Sequence, residues 1–312
     1  MKNNLLQILK NNYSLDTAKE IKLLRKGIDN DIYLFFSEDG EKQIARFGKR
    51  DISNSIEFEV KLINELVKYG IRTPSIIKTK DGNNFVNLSG GKVLLCFEFV
   101  EGKSPVQEGN VPKVSQVNEA ARCIGEFHRA TMNLDLDVSG RRTMFSELER
   151  VNELKSPIKE LFKDSEEFIS DTNRMLEFGQ KVKFKQGIIH NDYNPTNVLF
   201  DNSDLVVIVD FDWACKGPLL IDVGYGAVTW STEEKEIKPD WKKFNKFITS
   251  YKEIGPIRNF QKKELYFWSA YSCLYLAANF ICDSVKENRY SIKSTKQSWM
   301  YKRYKYYEKL YL

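Results

Sequence analysis

The sequence is poor in the residues that carry metal and thiol chemistry. Only two histidines, His128 and His190, occur among 312 residues. A histidine-rich zinc site is therefore excluded, and a Ser-His-Asp triad would have to use one of these two. The five cysteines, Cys96, Cys123, Cys215, Cys273 and Cys282, contain no C-x-x-C pair. Their odd number and wide spacing read as buried thiols in a reducing compartment, the cytoplasm, and not as a disulfide framework. Charge of one sign is also lacking: 48 Lys+Arg against 43 Asp+Glu leave +5, too little for this length to call for nucleic acid or an anionic membrane. Neither G-x-x-x-x-G-K-[ST] nor G-x-G-x-x-G occurs among the 17 glycines, which argues against a Walker ATPase and a Rossmann oxidoreductase. The first ten residues lack the apolar core and cleavage site of a secretion signal.

Long uncharged runs are scarce too. Leu265–Cys282 is free of charge, but it carries Ser269, Ser272, Asn279 and three tyrosines between Glu264 and Asp283. It reads as a buried core helix and not as a membrane span. What is present is ordinary globular composition, 42% hydrophobic and 29% charged. That excludes collagen-like, disordered and disulfide-scaffold classes. At roughly 100–200 residues per domain, the length fits two domains or one large two-lobed one.

The pattern changes along the chain. Leu5, Leu6 and Leu9 form a short helical stripe. Residues 32–36 and 42–47 read as strands around a Ser37–Gly40 turn. Ile56, Val60, Ile63 and Val67 share one face of a helix over 55–69, which Gly70 stops. Another extended stretch begins at Pro74, and residues 85–88 and 93–99 flank a Gly90-Gly91 turn as a hairpin. Beyond Gly102 strands become rare. Val114, Val117, Ala121, Ile124 and His128 are spaced for a helix; much of 145–178 and all of 239–312 read as helical, with a β interlude at 187–210. The fold class is therefore α+β: a small lobe over 1–100, joined near 98–104 to a larger, mostly helical lobe over 101–312.

The strongest chemical signal is His190-Asn191-Asp192-Tyr193-Asn194-Pro195-Thr196-Asn197, followed by two apolar strands, 198–200 and 205–209, around an Asp201–Asp204 turn. If Phe200 faces Leu205, then Asn197 faces Ile208, and Asp210 lies two residues beyond. Such diagonal neighbours are about 7–8 Å apart. One amide oxygen and one carboxylate at that spacing can share Mg²⁺, at about 2.0–2.1 Å each. Mg²⁺ is usually held by one or two protein oxygens plus substrate phosphates, so a polyphosphate is implied. Asp192, in the same loop, is placed to orient or deprotonate an attacking hydroxyl. The function of His190 is to anchor the loop backbone.

Position by position, His190 through Asn197 with Val209-Asp210-Phe211-Asp212 resembles the aminoglycoside phosphotransferase and choline kinase superfamily, with its H-x-D-x-x-P-x-N loop and metal aspartate in I-D-F-D. The continuation through Gly217-Pro218-Leu219-Leu220-Ile221-Asp222 is similar to type II homoserine kinases. This resemblance implies a protein-kinase-like, two-lobed fold: a small antiparallel-sheet N-lobe with one helix, and a larger helical C-lobe. It implies a phosphotransferase that uses Mg²⁺ and ATP or GTP, with Asn197 and Asp210 as metal ligands, Asp192 as the catalytic residue, and His190, Asp212 and Asp222 in support. Gly27–Asn30 resembles the nucleotide loop, which brings in Asn30. Arg46 stands where the family's phosphate-binding Lys sits, with Lys49 nearby, and Glu59 matches its helix partner. Leu94–Val100 resembles the linker whose backbone reads adenine, which brings in Glu98 and Val100. No A-P-E segment follows Asp210, which argues against a protein kinase.

The partners implied are a nucleotide and a small hydroxyl acceptor, with no nucleic acid and no membrane. Residues 145–177 hold nine acids and five bases. That acidity points first to a cationic acceptor of the aminoglycoside antibiotic type. The alternatives are homoserine or a choline-like metabolite. From another class, the family also holds non-catalytic, spore-coat-type scaffolds. The basic, tyrosine-rich segment 302–307 reads as a solvated amphipathic helix.

Overall fold

The computed structural model describes residues 2–16, 20–27, 29–49, 55–106, 111–181, 184–201, 204–287 and 294–312. Ile28 of the Gly27–Asn30 loop and Asn202 and Ser203 of the expected turn lie outside the described residues. The elements are α1 (Lys2–Asn12), β1 (Lys22–Lys26), β2 (Asn30–Phe36), β3 (Lys42–Gly48), α2 (Ile56–Lys68), β4 (Ile76–Ile77), β5 (Val86–Asn87) and β6 (Val93–Glu98). They continue with α3 (Val114–Thr131), α4 (Met144–Glu153), α5 (Lys155–Leu161), α6 (Ser165–Lys181), β7 (Gln186–Ile189), β8 (Val198–Asp201), β9 (Asp204–Ile208) and β10 (Cys215–Pro218). The helices α7 (Leu219–Thr229), α8 (Trp241–Ile254), α9 (Lys262–Glu287) and α10 (Trp299–Tyr311) complete the chain.

The chain divides into two compact units. The first is Met1–Gly102 with Asp135–Gly140 and Val206–Asp212; the second is Lys103–Leu134, Arg141–Leu205 and Trp213–Leu312. A single cut at residue 100 does not describe this division, because two later segments group with the first unit. One cause is visible in the backbone: the Ile208 amide donates to the Arg72 carbonyl at 2.9 Å.

The first unit is an antiparallel sheet in the order β1-β2-β3-β6-β4, with β5 also on β6. Alternation along β6 decides how it is covered. Leu94 and Cys96 join a core with Leu5 and Leu9 of α1, and with Tyr33, Phe35 and Ala45. Val93 and Leu95 join Ile56 and Val60 of α2. Gly70, at φ 70°, stops α2 in the left-handed conformation that glycine adopts without a Cβ penalty. β1 leaves no periodic signal: all five of its residues are exposed and its pairing carries a register shift, so no alternation marks it.

In the second unit α3 packs on α8, α7 on α9, and α9 on α4 and α10. The helical stretch over 145–178 is three helices, not one. Pro157 has no amide to bond the Glu153 carbonyl, and α4 ends at Glu153. The strand β10 was also not expected; it pairs with β7, Cys215 opposite Ile189. On α7, Gly224 lets α9 approach so closely that a Cβ would stand 2.7 Å from the Ser269 amide nitrogen. The uncharged run lies in α9, and 78% of its most apolar window is buried against the rest of the protein. All five cysteines are free and buried, and burial pushes the Cys215, Cys273 and Cys282 thiols up to about 12.

Candidate active site

In the first unit, strand register sets the charged group. Arg46 of β3 pairs with Ile32 and with Leu95 of β6, so it shares the sheet face that α2 covers. Glu59 projects from the first turn of α2 toward that face. Arg46 Nη1 and Nη2 donate to Glu59 Oε1 and Oε2 at 2.6 and 2.7 Å, a bidentate pair that is almost wholly buried. Burial works against the Arg46 charge, but the Glu59 carboxylate outweighs it and raises the guanidinium pKa. Asp210 Oδ1 lies 3.9 Å from Arg46 Nη1. Asp212 Oδ2 accepts from Asn30 Nδ2 at 2.9 Å. Burial and then the Asp210 charge hold the Asp212 carboxyl well above the usual range. Asp210 has φ 73°, a left-handed backbone outside glycine of the kind that clusters at functional sites. Lys49 is not part of this group: its Nζ bonds the Gly27 carbonyl and Asp31, both at 2.6 Å. Among the described residues, Glu98 shares no hydrogen bond or ion pair with this group. The Glu98 side chain is exposed and its amide donates to the Ser75 carbonyl at 3.1 Å.

The buried pair makes a stability prediction. Arg46→Met leaves the Glu59 carboxylate buried without its partner, so unfolding free energy should fall by about 3–5 kcal/mol in urea titrations. The double variant with Glu59→Leu removes both charges and should regain most of that loss. An unchanged midpoint for Arg46→Met alone would mean that the pair carries no structural weight.

The second unit holds the loop over 190–197, fixed by Asp222 in the first turn of α7. Asp222 Oδ2 accepts from the His190 amide at 2.7 Å and Oδ1 from the Asn191 amide at 2.8 Å. His128 Nε2 lies 3.1 Å from Asp222 Oδ2, and Tyr251 Oη lies 3.0 Å from Nδ1. A carboxylate only accepts, so Nε2 carries a proton. Asn191 takes a left-handed φ of 62°, and its carbonyl accepts from Tyr275 Oη at 2.6 Å. The next residue, Asp192, receives three side-chain donors: Asn194 Nδ2 at 2.9 Å, Asn197 Nδ2 at 2.8 Å and Tyr225 Oη at 3.2 Å. Burial, then Asp192, push the Tyr225 phenol well up, so it stays protonated as a donor. Asn197 also donates Nδ2 to the Asp192 carbonyl at 3.0 Å, and its amide oxygen accepts from Thr196 Oγ1 at 3.3 Å.

Of the residues expected from sequence, Arg46, Glu59, Asn30, Asp210 and Asp212 thus gather in the first unit, and His190, Asp192, Asn197 and Asp222 in the second. Sequence reading missed the supports: His128 as the brace of Asp222, and Asn194, Tyr225 and Tyr275 on the loop. The only available signal was that His128 is one of two histidines.

Carboxylate and amide oxygens, the groups that Asp210 and Asn197 each carry, are hard donors of the kind that Mg²⁺ takes. With this geometry in view, the comparisons are specific. Residues 20–239 match the model of the phosphotransferase enzyme family. Curated relatives include a homoserine kinase of Afipia carboxidovorans, 24% identical over 249 residues, 78% of this chain and 73% of that protein. A homoserine kinase of Rhodopseudomonas palustris strain TIE-1 is 24% identical over 71% of this chain and 66% of its own length. The chain thus spans about two thirds of the length of such relatives. Among solved structures, amicoumacin kinase hAmiN, in complex with AMP-PNP, Ca²⁺ and Ami, superposes with a TM-score of 0.74 at 13% identity, over 98% of this chain and 93% of that one. The fold is the two-lobed α+β kinase-like fold, and the chain belongs to the phosphotransferase enzyme family as a small-molecule kinase.

Proposed function

We propose that the protein moves the γ-phosphate of ATP, or GTP, to a hydroxyl of a small molecule in the cytoplasm. The observation that carries this reading is Asp192, held by three side-chain donors on a loop whose two preceding amides are fixed by Asp222. In this reading Asp192 orients the acceptor hydroxyl and takes its proton as the oxygen attacks phosphorus. Asn197 and Asp210 would hold Mg²⁺, which when bound neutralises charge on the phosphate oxygens. Arg46, steadied by Glu59, faces the nucleotide phosphates, with Asn30 and Asp212 beside it. The backbone near Glu98 and Val100 serves the base.

Among acceptors we favour the hydroxy amino acid class, homoserine, over the aminoglycoside type. The names of the curated relatives support this, and so does charge. Ion pairs meet part of the negative charge of 145–177. Glu147 pairs with Arg142 and Arg150, Glu166 with Lys159, and Asp171 with Arg174 and Lys305. From outside the stretch, Arg142 and Lys305 lower the net negative charge that a polycation would meet. The test is nucleotide-diphosphate release against homoserine, choline and an aminoglycoside. We expect stimulation by homoserine in Mg²⁺ and its loss in excess EDTA, restored by added Mg²⁺. Stimulation by the aminoglycoside alone would reverse the acceptor choice. EDTA-resistant turnover would overturn the metal assignment.

A further inference from the structure

Arg142 sits just before Thr143, the residue that caps α4. Its Nε donates to Glu147 Oε1 at 2.6 Å, which fixes the plane of the guanidinium. The guanidinium lies 4.6 Å from the centroid of the Trp213 ring. Its Nη2 is buried and has no hydrogen-bond partner among the described residues. The side chain as a whole keeps 36% of its exposure, so solvent reaches Arg142 although Nη2 is buried. A buried donor left unmade is unfavourable and rare, and it marks a place where something else completes the bond.

The surroundings say where this fork stands. The Trp213 carbonyl accepts from Asn191 Nδ2 at 3.3 Å, and Asn191 directly precedes Asp192. On α9, Tyr275 bonds the Asn191 carbonyl, while Asn279 Nδ2 bonds Glu147 Oε2 at 3.2 Å. Four helical residues separate the two contacts, roughly 6 Å along the axis. Tyr275 and Asn279 of α9 thus link the Arg142–Glu147 pair to the loop that carries Asp192. A short carbon chain bridges such a span.

The charges decide what binds. Glu147 serves both Arg142 and Arg150, and Arg150 Nη2 also bonds Asp283 Oδ1 at 2.7 Å. Two cations and two anions balance, and Arg142 is the cation with donors to spare. A planar fork stacked on an indole is the geometry that takes a carboxylate bidentately. We propose that Arg142 binds a carboxylate of the acceptor, so that the substrate class is a short hydroxy acid phosphorylated at the far end from its carboxylate. This rests on the kinase reading above. It deepens that reading by naming the group recognised and the residue that recognises it.

The test compares L-homoserine with 3-amino-1-propanol, the same amino alcohol without its carboxylate. Phosphorylated product is followed by ³¹P NMR and nucleotide release, with Mg²⁺-ATP. Wild type should prefer homoserine in kcat/KM. Arg142→Gln should shrink the homoserine-to-aminopropanol ratio about 100-fold, chiefly through KM for homoserine, as expected for losing a charge-assisted pair. Arg142→Lys keeps a charge beside Glu147 against misfolding, and should give an intermediate ratio because it lacks the fork. A ratio unchanged in both variants would overturn the role of Arg142 and leave the kinase reading standing. So would a wild type that phosphorylates a carboxylate-free acceptor better than homoserine. No phosphoryl transfer to homoserine, aminopropanol, choline or an aminoglycoside would remove the kinase reading, and this inference with it.

Discussion

Asp192→Asn is expected to lower kcat by about 10³-fold, with KM for nucleotide within a few-fold of wild type. The substitution keeps the size of the side chain. It removes the acceptor for a hydroxyl proton, and it replaces one carboxylate oxygen with an NH₂ group. That NH₂ faces either Asn197 Nδ2 or the Asn194 Nδ2 and Tyr225 Oη pair, all of which are donors to Asp192. A modest loss of thermal stability therefore accompanies the loss of turnover, since two donors now confront each other. Single-turnover quench flow separates the two effects, because a folded protein that binds nucleotide but does not transfer phosphate has lost only the chemical step. Retained turnover within tenfold of wild type would remove Asp192 from the catalytic role.

Asp222→Ala is expected to have the largest structural effect of any single change at the site. The carboxylate is fully buried and accepts from two consecutive backbone amides and from His128. Alanine leaves all three donors buried and unmet. Removing one member of such a network costs about 3–5 kcal/mol. At roughly 2–4 °C per kcal/mol, Tm should fall by on the order of 10 °C. Activity should fall further than Tm explains at permissive temperature, because the amides that set the approach to Asp192 lose their anchor. Nucleotide affinity should suffer less, since Arg46 and Glu59 belong to the other compact unit. Differential scanning calorimetry with nucleotide titration reads both. An equal collapse of nucleotide binding would show that Asp222 holds up the protein generally and not the loop in particular.

How legible this was in the sequence depended on distance along the chain. Asp192, Asn197 and Asp210 fall within a span of 19 residues, so spacing alone brought them forward as candidates. Arg46 and Glu59 were readable through two periodicities: a strand of known register and a helix with one apolar face fix which way each side chain points. The supports were not readable in this way. His128 meets Asp222 across 94 residues and Tyr275 meets Asn191 across 84. Such pairs leave no local pattern, because the packing of α3, α7 and α9 brings them together. The same holds for the acidity of 145–177. Counting charges along the chain gave an excess, but Arg142 and Lys305 cancel much of it from outside the counted stretch. β1 shows the opposite failure: its pairing with β2 is made by backbone groups alone, and its five exposed side chains carry no periodic signal.

The 26-residue helix α9 sets an order of events during synthesis. It covers α7, whose residues from Leu219 to Val228 are all buried, and it supplies the Tyr275 bond to the catalytic loop. A ribosome adding 5–20 residues per second reaches α9 well after it has made the loop, Asp222 and α7. Until then only α3, β7 and α8 can cover α7, and the face that α9 buries stays open to solvent. The protein therefore acquires its catalytic loop late in its own manufacture. Truncation within α9 should yield aggregated chains that depend on chaperones, even though every residue of the catalytic motif has already been translated.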